Sequence, residues 1–462
     1  MKKTIKLVLL MLSISTSAFS QSGNMLETKA ENFDFPEGKV DFLTYKGRKS
    51  MKISNSGQVI IKDLNFKDGT IEFDAETILP GFAQGVYFHR KDNNEQEMVY
   101  LRVTKIGDTL ANEAIQYTPY FDGVNMWDMY PQYQAPAPLK KEDWNHIKLV
   151  ISGKQMKVFV NDTPVLYIPK LEGRETEGSI AFEGASYISN IEIKPGETEG
   201  LSPLEGADLT QHESNYIRNW AMTASSLLPQ GTEPTTLLSV PKNDAFIEKI
   251  QAERYGLVNL TRRFGRNEQR KIAWLKTTIT AKERIKTNLQ LGFSDEIWVY
   301  LNDQITYTDK NIFRQNMKKY PNGRISVQNG ITELELKQGV NELMIGISND
   351  FYGWGLIARL ENMEGISGIE AYSAPKTMNV ENADQFVGEY VLEGYDSYKL
   401  MVAQNAGELT VQLPNQQEII PLSYLGNNSF NVGLGIVLEF SPDRKKVMIK
   451  ENGFENEFVK IN

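Results

Sequence analysis

Between Gly85 and Pro119, three short runs set aromatic rings beside rigid hydrogen-bonding groups: GVYFHRKD (85–92), MVYLRV (98–103) and AIQYTP (114–119). Taken with period two, Tyr87 and His89, Tyr100 and Arg102, and Gln116 share one face. Val86, Phe88, Val99, Leu101, Val103, Ile115 and Tyr117 then share the other. Aromatic faces pack against the C–H surface of a sugar ring, while Arg and Gln address paired hydroxyls or a carboxylate. With Trp127 from the following loop, the expected ligand residues are Tyr87, His89, Tyr100, Arg102, Gln116 and Trp127. The competing explanation is a partly covered surface on which Tyr and Arg stack for stability.

A second pattern is Glu72-Phe73-Asp74-Ala75-Glu76, whose alternation puts three carboxylates on one strand face. A retaining glycosidase needs its two working carboxyl groups about 5–5.5 Å apart. Residues i and i+4 of a strand lie roughly 13 Å apart along the backbone, so these side chains would have to lean strongly together. No catalytic residue is assigned on that basis. The only histidines are His89, His146 and His212, on separate segments and without HExxH spacing; no GxSxG elbow is present. His146 alternates with Lys148 on an outward strand face and reads as plain surface. The chain has no cysteine, so disulfides and thiolate metal sites are excluded.

The elements that must hold these groups are short strands. GTIEFDAET (69–77) buries Ile71 and Phe73. DWNHIKLVISGKQMKVFVNDTPV (143–165) reads as strand, turn at Ser152-Gly153-Lys154, strand and a hairpin at Asn161-Asp162, and SIAFEGASYISNIEIKP (179–195) supplies two more. No helical periodicity is sustained from 25 to 195, which points to a sandwich or barrel. GETEGLSPLEGA (196–207) and GISGIEAYSAPKTM (365–378) are linker-like. Between them, Ile297, Val299 and Leu301 face one way and Trp298, Tyr300 and Asn302 the other. Residues 379–462 read as roughly eight strands with turns at Asn405-Ala406-Gly407, Gly426-Asn427-Asn428 and Asp443-Arg444.

Through DGTIEFD, GVYFHRKDNN, QYTPYFDG, DWNHIKLVISGKQMKVFVND and GSIAFEG…SNIEI, residues 25–195 resemble the concanavalin A-like lectin/glucanase superfamily. The likeness is greatest to its laminin-G-like and 3-keto-glycoside hydrolase-type members. SDEIWVYLND with LKQGVNELMIGI…GWGL makes 208–364 similar to the galactose-binding-like jelly roll, and 379–462 resembles the small lipocalin-like barrel of bacterial hydrolases. The resemblance implies an all-β chain: a concanavalin A-like β-sandwich, a second galactose-binding-like β-sandwich and a small C-terminal β-barrel. Within the concanavalin A-like superfamily, laminarinase-type glycosidases carry their nucleophile and acid/base in a Glu-x-Asp-x-Glu strand, the pattern that Glu72, Asp74 and Glu76 match. Laminin-G-like and galactose-binding-like folds often hold a structural Ca²⁺, for which DNNEQE (92–97) is the acidic loop, a solvated turn being the alternative. No other cofactor is expected.

At 462 residues the chain is long enough for several domains, and a formal net charge of -9 without a basic stripe argues against nucleic acid as a partner. Lys2, Lys3 and Lys6, the apolar run Leu7–Leu12 and the exit Ala18-Phe19-Ser20 have the form of a signal peptide over 1–20. That run is too short to span a membrane. The expected protein is a secreted or periplasmic, multi-module binder of a polysaccharide or oligosaccharide, with the ligand on the aromatic and polar concave face of its first sandwich. A glycan-active hydrolase using the same sandwich is the first alternative and a protein-binding surface scaffold the second. Activity as an enzyme is left open, leaning against.

Overall fold

The computed structural model of the protein describes residues 24–54, 57–266, 268–314, 316–374, 383–405, 408–433, 435–451 and 453–461. The expected signal peptide lies outside the described residues. Compactness divides the chain into two units, the first made of residues up to 117 with 133–206, the second of 118–132 with 207–462.

Two sheets make the first sandwich. One runs Thr163–Ile168, Gln155–Val160, Asn145–Ser152, Gly69–Thr77, Ser186–Pro195, Arg48–Ile53, Val40–Tyr45, with Asn24–Leu26 added on Ser186–Pro195. We call it the Glu72 sheet. The other, the Tyr100 sheet, centres on Ile115–Phe121, Gln96–Arg102, Ala83–Arg90 and Ser179–Glu183. Alternation explains the packing. Ile71, Phe73 and Ala75 of Gly69–Thr77 are buried to 0–1 % exposure, and Phe73 meets Phe182 of the Tyr100 sheet edge-on at 5.0 Å. Tight turns fix the register of the Glu72 sheet. Lys46 and Gly47 have φ of 46° and 77°, as a two-residue hairpin turn requires, and the turn sets Tyr45 opposite Arg48. Asn161 and Asp162 make the same kind of turn.

The stretch expected as the first linker has neither strand nor helix. It is nonetheless tied down: Lys154 N–H donates to the Pro203 carbonyl, Gly206 N–H to that of Pro169 and the Thr70 hydroxyl to that of Glu197.

In the second unit a sheet built on Lys271–Ala281, Gly339–Ser348 and Glu296–Leu301 faces a four-stranded sheet of Leu257–Asn259, Gly355–Leu360, Ile285–Ser294 and Gly330–Leu336. Ile297, Val299 and Leu301 enter the core between them, and Trp298 and Tyr300 join a second cluster on the opposite face with Trp274, Met344 and Tyr372. One boundary differs from the sequence expectation: Ile366–Ala371, inside the second linker-like stretch, is a strand paired with Lys271–Ala281. A register shift between Thr280 and Ala281 separates the Ile369–Ile279 and Ile366–Ala281 pairs, so the two isoleucines are three apart and escape a period-two reading.

The C-terminal strands form a nine-stranded meander whose two ends, Ile419–Pro421 and Ser423–Gly426, are separated in sequence only by Leu422. The sheet therefore curls into a nearly closed barrel around Phe386, Tyr390, Phe430, Phe440 and Phe458.

Candidate functional site

The outer face of the Glu72 sheet gathers the most varied chemistry in the first unit. With Ile71, Phe73 and Ala75 committed inward, parity turns Glu72, Asp74 and Glu76 outward. Register brings His146 opposite Asp74 from one side and Ser189 from the other. His146 Nδ1–H donates to Asp74 Oδ1 at 2.9 Å, Asn190 Nδ2 donates to Oδ2 at 2.7 Å, and the Arg48 guanidinium caps the same oxygen. Asn190 reaches it because the pairing of Ser186–Pro195 with Gly69–Thr77 shifts after Ser189, leaving Asn190 at φ 49°. Asparagine tolerates that left-handed conformation better than most residues.

Burial pushes the Asp74 carboxyl up, but hydrogen bonds from His146 and Asn190 and the charge of Arg48 outweigh it and hold the group below its ordinary range. His146 moves the other way, raised by its bond to Asp74 against partial burial. Each shift favours the charged form of its group, and Glu72 lies 3.6 Å from His146 Nε2. Beside this pair lies a ledge of rings. Tyr45 stacks on Tyr187 at 3.7 Å and 3°, and Trp144 meets Tyr45 edge-on at 5.9 Å with Arg48 over its face. Tyr45, Tyr187, Arg48 and His146 are all half-buried, so water and a ligand reach them.

The three carboxylates do not converge as a glycosidase pair. Glu72 turns to Lys194, and Glu76 at the other end of the strand takes Tyr45 OH at 3.0 Å and Lys46 Nζ at 2.7 Å.

The residues expected from sequence divide into three groups. Tyr87, Tyr100, Arg102 and Gln116 lie on the outward side of the Tyr100 sheet, where Tyr100 is set opposite Gly85 and Arg102 opposite Ala83. Arg102 Nη2 donates to Tyr100 OH and to Gln116 Oε1, each at 2.6 Å, Tyr100 OH donates to Gln116 at 2.9 Å, and Tyr87 OH donates to Glu183 at 2.7 Å. All four are buried, Arg102 being the most exposed at 8 %.

His89 is on the other side, contrary to the parity reading. A register shift in the pairing of Ala83–Arg90 with Ser179–Glu183, and φ 44° at His89, turn its ring toward Glu97 (2.8 Å) and the Lys67 carbonyl (2.7 Å). Burial lowers the His89 imidazole, yet Glu97 outweighs it and leaves the group raised. Trp127 joins neither set. It belongs to the second unit, where it meets Phe313 at 4.9 Å and Tyr352 at 6.1 Å under Arg324.

The acidic loop is self-contained: Asp92 accepts from the amides of Asn94 and Glu95, an Asx turn. Among the described residues no group of three or more His, Cys, Asp or Glu is placed to share a metal ion. No helix among them is long and apolar enough to cross a membrane.

Tyr45, Arg48, Trp144, Tyr187 and Asn190 are not among the residues expected from sequence, and His146 reads there as plain surface. The turn Tyr45-Lys46-Gly47-Arg48 was a usable signal, since a two-residue hairpin turn sets its flanking residues opposite one another.

Residues 23–194 match the family model of the 3-keto-alpha-glucoside-1,2-lyase-like domain. That match spans the first sandwich, whose two stacked sheets are described above. No curated protein matches the sequence. Among solved structures, a carbohydrate-binding module from Bacillus subtilis aligns at 12% identity over 35% of this chain and 96% of its own, with TM-score 0.26. A galectin-fold protein of Bacillus subtilis aligns at 14% over 38% and 94% (TM-score 0.28), and a homodimeric agglutinin from chicken liver at 16% over 30% and 100% (TM-score 0.23). At these scores the alignments carry no argument about what this chain binds.

Proposed function

We propose that this is a multi-module carbohydrate-binding protein, secreted or periplasmic, whose first sandwich carries the saccharide. The observation that supports a location is the accessible pair of stacked rings Tyr45 and Tyr187, with the buried Trp144 edge-on to Tyr45, continuous with Arg48, Asp74, His146 and Asn190 on one sheet face. Rings stack on a pyranose, and a carboxylate flanked by a guanidinium, an imidazolium and an amide offers donors and acceptors to vicinal hydroxyls. The Tyr87, Tyr100, Arg102 and Gln116 face is the second location. It has the matching groups, but with exposures of 8 % or less it meets a ligand only after it opens.

Calorimetry and a glycan array on the whole protein test the reading. Tyr45→Ala and Arg48→Ala each weaken binding at least tenfold, and Tyr100→Phe leaves it unchanged. The reverse pattern moves the ligand to the Tyr100 face, and no glycan bound at all removes the proposal. A hydrolase is the alternative that the Asp74–His146 pair favours. Sugar release from a glycan pool, lost in Asp74→Asn, would establish it.

A further inference from the structure

Two carboxyl groups of the second unit, Asp128 and Asp295, are each 2 % exposed. Asp295 is well supplied with donors: Oδ2 accepts from the amides of Phe351 (2.7 Å) and Asp350, and Oδ1 from the Ser294 hydroxyl at 3.0 Å. Asp128 is not, because its Oδ1 is buried without a hydrogen-bond partner. Its surroundings are carbon-rich. A Cβ added at Gly353 would sit 3.0 Å from that oxygen, 2.4 Å from Met129 Cγ and 3.0 Å from Met126 Cε. The segment bearing Asp128 is held by a bond from Ile325 N–H to the Asp128 carbonyl (2.9 Å) and by Trp127 against Phe313 and Arg324.

A buried carboxylate oxygen without a donor is among the most costly groups a fold can carry, and the usual resolution is to neutralise it. A divalent ion needs six or more oxygens around it, whereas methionine carbons crowd this one. A proton needs no such shell.

We propose that Asp128 and Asp295 form a proton-binding site that keeps at least one proton at neutral pH, and that this proton keeps the Asp128 segment of 118–132 seated on the stretches 311–325 and 350–354. Burial, then the neighbouring Asp295, drives Asp128 well above the ordinary carboxylate range, with the amides of Asp128 and Gly353 and then Arg324 pulling it back. Asp295 is pushed up to about 8 by burial, against its three hydrogen bonds and with Asp350 adding to the rise. Asp350 is itself raised by burial. Glu296, the next residue along, is neutralised by Arg270 and Lys310. Both shifts are upward from an ordinary 3.8, so the folded form holds protons that the unfolded form releases. The stability these two carboxyls contribute is therefore complete below about 3.8 and is lost as pH rises toward about 8.

Hydrogen exchange on the whole protein tests this. Peptides covering 118–132 lose protection between about pH 6 and about pH 9, after correction for the intrinsic rate, and Asp128→Asn shrinks that loss to the part Asp295 contributes, because the amide is neutral throughout. An unchanged loss in Asp128→Asn overturns the proposal, as does protection restored to the wild type by calcium. If the variant does not fold, infrared spectra of the wild type decide: the carbonyl band of a buried protonated carboxyl is expected at neutral pH and disappears in base. Its absence at neutral pH overturns the proposal.

Discussion

Asp74 of the first unit and Asp295 of the second each accept hydrogen bonds from three groups, yet they titrate in opposite directions. Asp74 takes an imidazole, an amide and a guanidinium and falls below the ordinary range. Asp295 takes two backbone amides and a hydroxyl and rises to about 8. Donor number is therefore not what sets the charge state. Two of Asp74's donors are cationic, and it stands among half-exposed side chains that water reaches, whereas the neutral dipoles around Asp295 replace a hydration shell removed entirely. The first arrangement suits a charged face that exchanges water for a ligand. The second suits a fixed lock inside the fold.

The largest effect that bears on this contrast is expected from Asp295→Ala. It leaves the Asp350 and Phe351 amides and the Ser294 hydroxyl without their acceptor in a dry site, and costs about 3–4 kcal/mol in urea unfolding. Asp74→Ala removes as many bonds from a wetter face and costs about 1–2 kcal/mol. Equal losses would mean that water access does not distinguish the two sites.

The next effect is smaller and is read from pH. His146 is raised above its ordinary 6.5, so its contribution is complete below that value and lost as pH rises through the folded pKa. Asp74 is lowered from 3.8, so its contribution is present above that value and lost as pH falls through the folded pKa. The pair is thus strongest between about pH 4 and about pH 6.5. NMR titration of His146 in Asp74→Asn should show its pKa fall toward the ordinary value; an unmoved pKa would mean that Glu72 governs this imidazole.

Much of the strand pattern was legible in sequence, because a sheet face repeats every two residues. Parity alone sent Glu72, Asp74 and Glu76 outward together. It also paired Tyr100 with Arg102 on one face and sent Ile297, Val299 and Leu301 to the core. The rest depended on register and bulges, which parity does not carry. His146 and Asn190 meet Asp74 from 72 and 116 residues away. A left-handed residue reverses His89, and a register shift hides the strand Ile366–Ala371. Asp128 looks like any loop aspartate until the fold buries it at 2 % exposure.

Asn190→Gly carries the smallest expected effect and sharpens the contrast most directly. Glycine accepts the φ of 49° at this position, so the bulge is kept and only the amide is lost. Global stability at neutral pH should change by no more than about 0.5 kcal/mol, since an exposed neutral donor is replaced by water. The acid limb is where the loss shows. Without the amide, Asp74 rises toward its ordinary value, and the stability it contributes against acid shrinks. His146→Gln removes the stronger bond together with its charge and should move that limb further. Acid unfolding monitored by tryptophan fluorescence ranks the two. If Asn190→Gly moves the limb more than His146→Gln, a neutral donor outweighs a charged one even where water is present, and the distinction drawn between Asp74 and Asp295 rests on burial alone.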